Sequence, residues 1–226
     1  MFYKVSKEDE YLYQGKRKRL VEQLKHKGIR NAKVLEAISR IPRHLFFDAS
    51  TARPALLDHA YSDKALPIGA GQTISQPYTV AFQTEMLDLK AGEKVLEIGT
   101  GCGYQTAVLL EMGAKVYSIE RQKLLYDRSK LFLPYLGYQA ARLIFGDGYK
   151  GLPRYAPYDK IIVTAAAPYI PNDLLQQLKI GGLMIIPLGE GDVQDMVLLK
   201  KTSDSSFDKK SLGAFRFVPL LPDKNN

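Results

Sequence analysis

The sequence has few of the residues that build several common kinds of functional site. Its 226 residues include one cysteine, three histidines and no tryptophan. A single cysteine excludes an internal disulfide bond and indicates a reducing compartment, so we expect a cytoplasmic protein. His26, His44 and His59 lie away from the motifs described below, and we expect no metal site.

Long apolar segments are also missing. The sequence has no run of about 18 apolar residues, the length that a membrane-spanning helix needs. Residues 1–10 lack the apolar core of a secretory signal, so we expect no export by that route. These absences predict a protein without a membrane partner.

Acidic residues are outnumbered by basic ones. The chain has 24 aspartates and glutamates against 32 lysines and arginines, which gives a net charge of +8. Such an excess suits either nucleic acid or substrates that carry carboxylates. The densest basic run, residues 16–19, directly precedes the apolar Leu20 and Val21. We interpret it as the solvated first turns of a helix in preference to a nucleic-acid-binding arm.

The hydrophobic pattern divides the chain into a helical beginning and an alternating remainder. Residues 16–48 repeat apolar positions at helical spacing, with Gly28 between two predicted helices. The mixed composition of residues 49–76 predicts an irregular segment with one or two short strands. A helix is predicted after Pro77. From residue 94 the predicted strands are 94–98, 115–119, 142–145, 159–164, 183–187, 195–200 and 213–218, and the predicted helices are 104–112, 121–136 and 171–179.

This alternation predicts an α/β fold with a doubly wound, mostly parallel sheet and an N-terminal helical extension. We expect a single domain over residues 1–226. Within it, a helical and substrate-side segment, 16–90, packs on a Rossmann-like cofactor-binding core, 91–220. Ligands of such sheets bind at the carboxyl ends of the strands, so the residues that follow each strand are the candidate site.

The clearest motif is a strand at residues 94–98, followed by Gly99, Gly101 and Gly103 and then by a helix. Glycines at alternate positions remove every second Cβ, so a ligand can lie against the backbone at a helix N-terminus. Glu120 follows the next strand, where a carboxylate can accept hydrogen bonds from ribose hydroxyls. The pattern predicts a site for a nucleoside-like cofactor.

Three interpretations of this glycine motif remain. A dinucleotide site has glycine at the sixth position of G-x-G-x-x-G, where this chain has Tyr104. The glycines would also suit a purely structural turn. The E-x-G-x-G-x-G form, from Glu97 to Gly103, resembles instead the loop of S-adenosylmethionine-dependent methyltransferases.

Asp147, between Gly146 and Gly148, follows another predicted strand. Its carboxylate would accept a hydrogen bond from the exocyclic amine of adenine. The alternative is an ordinary β-turn, which Asp and Gly also favour. After the strand at 159–164 the chain has residues 166–169, Ala-Ala-Pro-Tyr. Methyltransferases of exocyclic base amines resemble one another here, with Asn or Asp before Pro-Pro and an aromatic residue. Since that amide or carboxylate is absent, we expect no nucleic-acid partner.

A second distinctive segment, residues 67–81, lies before the glycine loop. Thr73, Ser75 and Tyr78 place three hydroxyls close together beside a pair of glycines. Ser75 also precedes Pro77 at the start of a predicted helix, which it would suit as a cap. The segment leads to the cofactor crevice, and such a segment can close over a substrate.

Together these motifs resemble the protein-L-isoaspartate O-methyltransferase family. The similarity extends over residues 16–220, nearly the whole chain. Its carriers are residues 69–81, 95–105, 146–148, 181–189 and 216–220. The resemblance implies the class I S-adenosylmethionine-dependent methyltransferase fold. It also implies S-adenosyl-L-methionine as cofactor, S-adenosyl-L-homocysteine as product, and damaged proteins and peptides with L-isoaspartyl residues as substrates.

The resemblance also assigns roles to matching residues. Ser75 matches the family's active-site serine, and Cys102 stands where the family has a serine in the cofactor loop. Glu120 matches the acidic ribose ligand. The predicted cofactor-binding residues are Thr73, Ile74, Glu97, Gly99, Gly101, Cys102, Gly103, Glu120, Arg121, Asp147 and Gly148, and the predicted catalytic residue is Ser75.

These residue types suit methyl transfer to a carboxylate. A carboxylate has an ordinary pKa near 4, so it is ionised at neutral pH and needs no general base. Ser75 would therefore orient the substrate carboxylate, and positioning would supply most of the rate. A nucleophilic serine, a catalytic Cys102 thiol, a small-molecule or RNA methyltransferase and a non-catalytic cofactor-binding module are the alternatives.

Overall fold

The structure is a computed structural model that describes residues 7–47 and 54–225. Its α-helices are α1 Lys7–His26, α2 Ala32–Arg40, α3 Pro54–Asp58, α4 Pro77–Met86, α5 Tyr104–Glu111, α6 Lys123–Tyr135 and α7 Asn172–Gln177. Its strands are β1 Leu66–Gly69, β2 Gln72–Ile74, β3 Lys94–Ile98, β4 Lys115–Glu120, β5 Arg142–Phe145, β6 Tyr158–Val163, β7 Leu178–Leu188, β8 Gln194–Lys201 and β9 Phe207–Phe215. Short 3-10 helices span Arg43–Phe46, Gly148–Lys150 and Pro153–Tyr155.

The central sheet has seven strands in the order β5-β4-β3-β6-β7-β8-β9. The pairs from β5 to β7 are parallel, while β8 and β9 are added antiparallel. Chain order reverses between β3 and β6, since β4 and β5 extend the sheet to one side and β6 begins the other. A ligand crevice is expected outside the carboxyl ends of β3 and β6 at this reversal. The predicted doubly wound, mostly parallel sheet is confirmed.

Two apolar clusters cover opposite faces of the sheet because successive strand side chains point to opposite sides. In β3, Val95 belongs to one cluster and Leu96 to the other. The first cluster also contains buried side chains of the N-terminal helices, including Leu24 and Val34. The helical extension therefore shares a core with the sheet. Within residues 7–47 and 54–225, no helix is long and apolar enough to cross a bilayer.

Most predicted elements have the expected place, and β3 and β5 have the predicted bounds. The last strand is shifted, because it was predicted at 213–218 and β9 spans Phe207–Phe215. Most β9 side chains are exposed, so this edge strand carries little apolar pattern, and the apolar residues that follow it misled the prediction. Helix α1 begins before residue 16, and α3 forms within the segment predicted as irregular. Some predicted positions lie outside the described residues. They are residue 48 of the predicted helical segment, residues 49–53 of the predicted irregular segment, and residues 1–6 and 226 of the predicted domain.

Candidate active site

A cavity opens at the carboxyl ends of β3, β4 and β6, where the sheet order reverses. The empty space between its walls, counted out through its open mouth, is about 790 Å³. The glycine loop forms one wall. The lining includes residues 72–75, 98–102, 119–122 and 218–221, with Val80, Tyr104, Gln105, Gly148, Thr164 and Ala165.

The glycines of the loop serve its own packing as well as the cavity. All three have positive φ, 96° at Gly99, 56° at Gly101 and 88° at Gly103. A Cβ on Gly99 would lie 2.4 Å from the Thr164 hydroxyl, and one on Gly103 would lie 3.0 Å from Leu133. Gly99 and Gly101 line the cavity, whereas Gly103 does not. Gly103 is instead the residue that precedes α5, in a left-handed conformation.

Glu120 lies at the cavity and is 4% exposed. Its Oε2 accepts a hydrogen bond from the Gly101 amide at 2.8 Å, and its Oε1 accepts one from the Gln122 amide at 2.8 Å. Burial raises the pKa of Glu120, and these backbone donors oppose the rise. Each carboxylate oxygen can accept a further hydrogen bond. Glu120 does not cap α6 through its first turn, since the amide that it binds belongs to Gln122, the N-cap residue itself.

Glu97 was predicted to bind the cofactor, but the structure places it behind the loop. Its side chain is fully buried and does not line the cavity. Its Oε2 accepts a hydrogen bond from the Thr106 hydroxyl at 2.5 Å. Burial raises the pKa of Glu97 to about 7, while the Thr106 and Ser118 hydroxyls oppose the rise. The Glu97 carboxylate thus links β3 to Thr106 of α5 behind the loop, and its contact with the cofactor stays a prediction.

Only one residue of the pair 147–148 borders the cavity. Gly148 lines it, while Asp147 does not. The Asp147 Oδ1 accepts a hydrogen bond from the Tyr149 amide at 2.9 Å, so this carboxylate caps the 3-10 helix that follows β5. The structural interpretation of Asp147, in which its side chain stabilises a turn, is therefore present in the structure. Its contact with adenine stays a prediction.

The remaining predicted residues lie in the cavity wall. Thr73, Ile74, Cys102 and Arg121 all line it. The Arg121 guanidinium donates to the carbonyls of residues 222 and 223, so it holds the C-terminal segment at the rim. Cys102 is 4% exposed, and burial raises the pKa of its thiol. A thiol with a raised pKa stays protonated near neutral pH and is a poor nucleophile.

Sequence reasoning missed two parts of the cavity. Residues 218–221 form one wall of the cavity. The Ala166 amide donates a hydrogen bond to the Val218 carbonyl at 2.8 Å, and the Leu220 amide donates one to the Ala166 carbonyl at 2.7 Å. The sequence marked residues 216–220 only as part of the family resemblance. Gln105 also lines the cavity, and its buried Oε1 has no hydrogen-bond partner among the described residues. A single polar residue near the start of a helix has no sequence pattern that would predict its position at the cavity.

A second cleft adjoins the first. It lies between the start of α4 and the end of β9, and its empty space, counted together with its open mouth, is about 1680 Å³. The lining includes Lys64 and Arg216, two cations, and the side chains of Tyr78 and Phe215. Four residues line both spaces: Thr73, Ser75, Thr164 and Val218.

Ser75 therefore lies at the junction of the two spaces. It is half-buried, and its hydroxyl makes no hydrogen bond within residues 7–47 and 54–225. The N-cap of α4 is Gln76, without a side-chain capping bond, so Ser75 is not the helix cap. No histidine is among the residues that line either space. His44 is buried elsewhere, where its Nδ1 lies 2.8 Å from the Tyr61 hydroxyl.

Comparison with known proteins decides the family. Residues 15–225 match the family model "Protein-L-isoaspartate(D-aspartate) O-methyltransferase (PCMT)". The chain belongs to the protein-L-isoaspartate O-methyltransferase family. A family member from Christiangramia forsetii is 64% identical over 217 residues, which cover 96% of this chain and 99% of that protein.

Solved structures of the family have the same fold. A protein-L-isoaspartate O-methyltransferase superposes with a TM-score of 0.80 at 31% identity, over 90% of this chain and 65% of that longer chain. A PCMT structure from Plasmodium falciparum superposes with a TM-score of 0.77 at 25% identity, over 91% of this chain and 98% of that chain. The Plasmodium protein was solved in complex with S-adenosyl-L-homocysteine.

Proposed function

We infer that this chain transfers a methyl group from S-adenosylmethionine to the free α-carboxylate of L-isoaspartyl residues in damaged peptides and proteins. The single observation that carries this conclusion is the meeting of two clefts at Ser75, one suited to a nucleoside cofactor and one open to a peptide. Membership of the family supports the same reaction. Methylation converts the carboxylate into a methyl ester. The backbone nitrogen then attacks the ester carbonyl and methanol leaves, which gives a succinimide that water reopens in part as normal aspartate.

The first cavity fits S-adenosylmethionine in its donors, acceptors and apolar walls. The Glu120 carboxylate can accept hydrogen bonds from ribose hydroxyls, as acidic residues at this sheet position do. Ile119 and Leu220 offer apolar surface for a purine ring. The Gln105 Oε1 is buried and has no hydrogen-bond partner among the described residues, and an ammonium group would supply the missing donor. When bound, the cofactor supplies an electrophilic methyl group on a positively charged sulfur.

The second cleft suits a peptide that carries a carboxylate. Lys64 and Arg216 give it positive charge, and Tyr78 and Phe215 give it apolar surface. A peptide that lies there brings its isoaspartyl carboxylate to the four residues that border both spaces. The Ser75 hydroxyl, at the border of both spaces, would donate a hydrogen bond to that carboxylate and so orient it. We propose Ser75 as the catalytic residue in this sense.

No general base is needed, because the attacking carboxylate is ionised at neutral pH. The residues that line the two spaces include no histidine, and the Cys102 thiol is held protonated by burial. Positioning of the carboxylate against the methyl group accounts for the rate, and this effect can lower a barrier by about 7–11 kcal/mol. A serine nucleophile would require an adjacent base, and no side chain among the described residues hydrogen-bonds the Ser75 hydroxyl.

We further propose that residues 1–226 act as one domain in the cytoplasm, without a nucleic-acid partner. The core that α1 and α2 share with the sheet supports one domain. The single cysteine supports a reducing compartment. The absent amide or carboxylate at residues 166–169 supports a substrate other than a nucleobase.

The decisive experiment compares two synthetic peptides of one sequence, one with an isoaspartyl residue and one with normal aspartate. We expect methyl transfer from S-adenosylmethionine to the isoaspartyl peptide, with the aspartyl twin as matched control. Methylation of RNA or of a small molecule, with both peptides untouched, would support the alternative methyltransferases. Cofactor binding without any transfer would support a non-catalytic module.

A further inference from the structure

Two buried charged side chains hold the segment around Ser75. Arg43 is 0% exposed, and the side chain of Asp63 is 2% exposed. Charged side chains are seldom buried to this extent unless each is paired and hydrogen-bonded. The groups that these two side chains bind therefore show which parts of the fold they hold in place.

Arg43 binds Ser75 through the backbone. Its Nη2 donates to the Ser75 carbonyl at 2.9 Å, and its Nε donates to the Ala60 carbonyl at 2.9 Å. The Nη2 also lies 3.4 Å from the Lys64 carbonyl. The guanidinium carbon is 4.7 Å from the centre of the Tyr104 ring, which lines the cofactor cavity. One side chain thus joins Ser75, the turn at residues 60–64 and the start of α5.

Asp63 extends from the same turn to the other side of Ser75. Its Oδ1 accepts a hydrogen bond from the Tyr78 amide at 2.8 Å, and its Oδ2 accepts one from Gln76 Nε2 at 3.1 Å. Tyr78 lies in the first turn of α4, whose N-cap makes no capping bond of its own. Asp63 therefore supplies the missing cap from a distant part of the chain, where a negative charge also suits the helix dipole.

The charge of Asp63 is balanced by Lys27. The Lys27 Nζ lies 2.5 Å from the Asp63 Oδ2 and 5.5 Å from the centre of the Tyr78 ring. Asp63 borders the second cleft, where an unbalanced negative charge would repel a substrate carboxylate. Because Lys27 neutralises Asp63, the net charge of the second cleft is set by Lys64 and Arg216 and is positive.

We propose that Asp63 is a positioning residue for methyl transfer. Through Gln76 and Tyr78 it fixes the backbone that follows Ser75, while Arg43 fixes the Ser75 carbonyl. The Ser75 hydroxyl is then held at the junction of the two clefts without a competing partner inside the described residues. This inference rests on the proposed function, because Asp63 acts through the orienting role of Ser75.

The first test is the isosteric change Asp63→Asn. The asparagine keeps one oxygen that can accept the hydrogen bond from the Tyr78 amide. Its NH₂ group replaces the oxygen that faces Gln76 Nε2 and Lys27 Nζ, and since these two groups are donors as well, both interactions are lost. We expect the turnover of an isoaspartyl peptide to fall about tenfold, whereas the affinity for S-adenosylhomocysteine, measured by calorimetry, stays within twofold. Asp127→Asn is the matched control, since Asp127 is half-exposed and pairs with Lys123 on α6. The control variant should match the unmodified protein in both measurements.

A double-mutant cycle separates positioning from general stabilisation. In a Ser75→Ala background, Asp63→Asn should cause no further loss of turnover, because its effect passes through the missing hydroxyl. A full tenfold loss in that background would overturn the positioning role. Turnover in the single Asp63→Asn variant equal to that of the unmodified protein would also overturn it.

A milder variant covers the case in which Asp63→Asn does not fold. Lys27→Met removes one partner of Asp63 and leaves its bonds to Gln76 and Tyr78. We expect a two- to threefold fall in turnover at saturating peptide, where repulsion of the substrate no longer matters, and this fall should disappear in the Ser75→Ala background. A fall at saturating peptide that persists there would overturn the proposal. Failure of the proposed function is distinguishable, because the unmodified protein would then not methylate the isoaspartyl peptide at all.

Discussion

The Thr164 hydroxyl occupies the place that a side chain on Gly99 would need. Thr164 Oγ1 donates to the Gly99 carbonyl at 2.8 Å and lies 2.9 Å from the Ile98 carbonyl. A Cβ built on Gly99 would approach that oxygen to 2.4 Å. Glycine at the first position of the loop is therefore required by Thr164, the residue that follows β6, independently of any ligand. The contact also fixes the cavity wall, since both residues line it.

Gly99→Ala should destabilise the fold by about 1–3 kcal/mol, through the clash with Thr164 and the positive φ of 96°. Thermal denaturation without cofactor measures this loss. Adding Thr164→Ala should recover only part of it, because the strained φ remains. Full recovery in the double variant would show that the clash alone requires glycine.

Glu120→Ala should weaken S-adenosylhomocysteine binding by about 1–3 kcal/mol, because charge-assisted hydrogen bonds are lost. Calorimetry measures the affinity, and denaturation without ligand measures the separate loss of the bonds to Gly101 and Gln122. Glu36→Ala, an exposed glutamate on α2, is the control. Unchanged affinity with lowered stability would reduce Glu120 to a structural role.

Ser75→Ala should lower turnover of an isoaspartyl peptide by roughly ten- to a thousandfold, which corresponds to about 1.4–4 kcal/mol of lost orientation. Cofactor affinity should change little, and no covalent intermediate should form on Ser75 in the unmodified protein. Mass spectrometry during turnover checks the second point. An alanine variant with the original rate would remove Ser75 from the mechanism.

Cys102→Ser should keep most of the activity, because the thiol is buried and protonated and carboxyl methylation needs no thiolate. The measurement is turnover together with cofactor affinity. A loss beyond roughly a hundredfold in turnover, with binding intact, would assign the thiol a chemical role.

Glu97 should make the folded state less stable as pH rises from about 4.5 to 7. Its pKa is raised from an ordinary 4.5 to about 7, so the folded state holds the proton more tightly than the unfolded state in this window. The free energy of unfolding then falls with pH, by about 1.4 kcal/mol for each unit of pKa difference.

Urea denaturation at pH 5 and pH 8 measures this dependence. Glu97→Gln should flatten it and should gain stability relative to the unmodified protein at pH 8, because no charge is buried there. An equal change at both pH values would contradict the raised pKa.

The sequence by itself determined the order and kind of the elements. Apolar runs such as residues 94–98 and the glycines between elements specify strands and turns locally, and a βαβ series can close in few ways. It also indicated Gly99, Cys102 and Glu120 as neighbours of a ligand, since residues after parallel strands must meet at one edge. Only tertiary structure decided that Glu97 lies behind the loop, because its neighbours Thr106 and Ser118 come from other elements. The same holds for Asp63 and Arg43, whose hydrogen-bond and ion-pair partners are up to 36 residues distant in the chain and come close only when the chain folds.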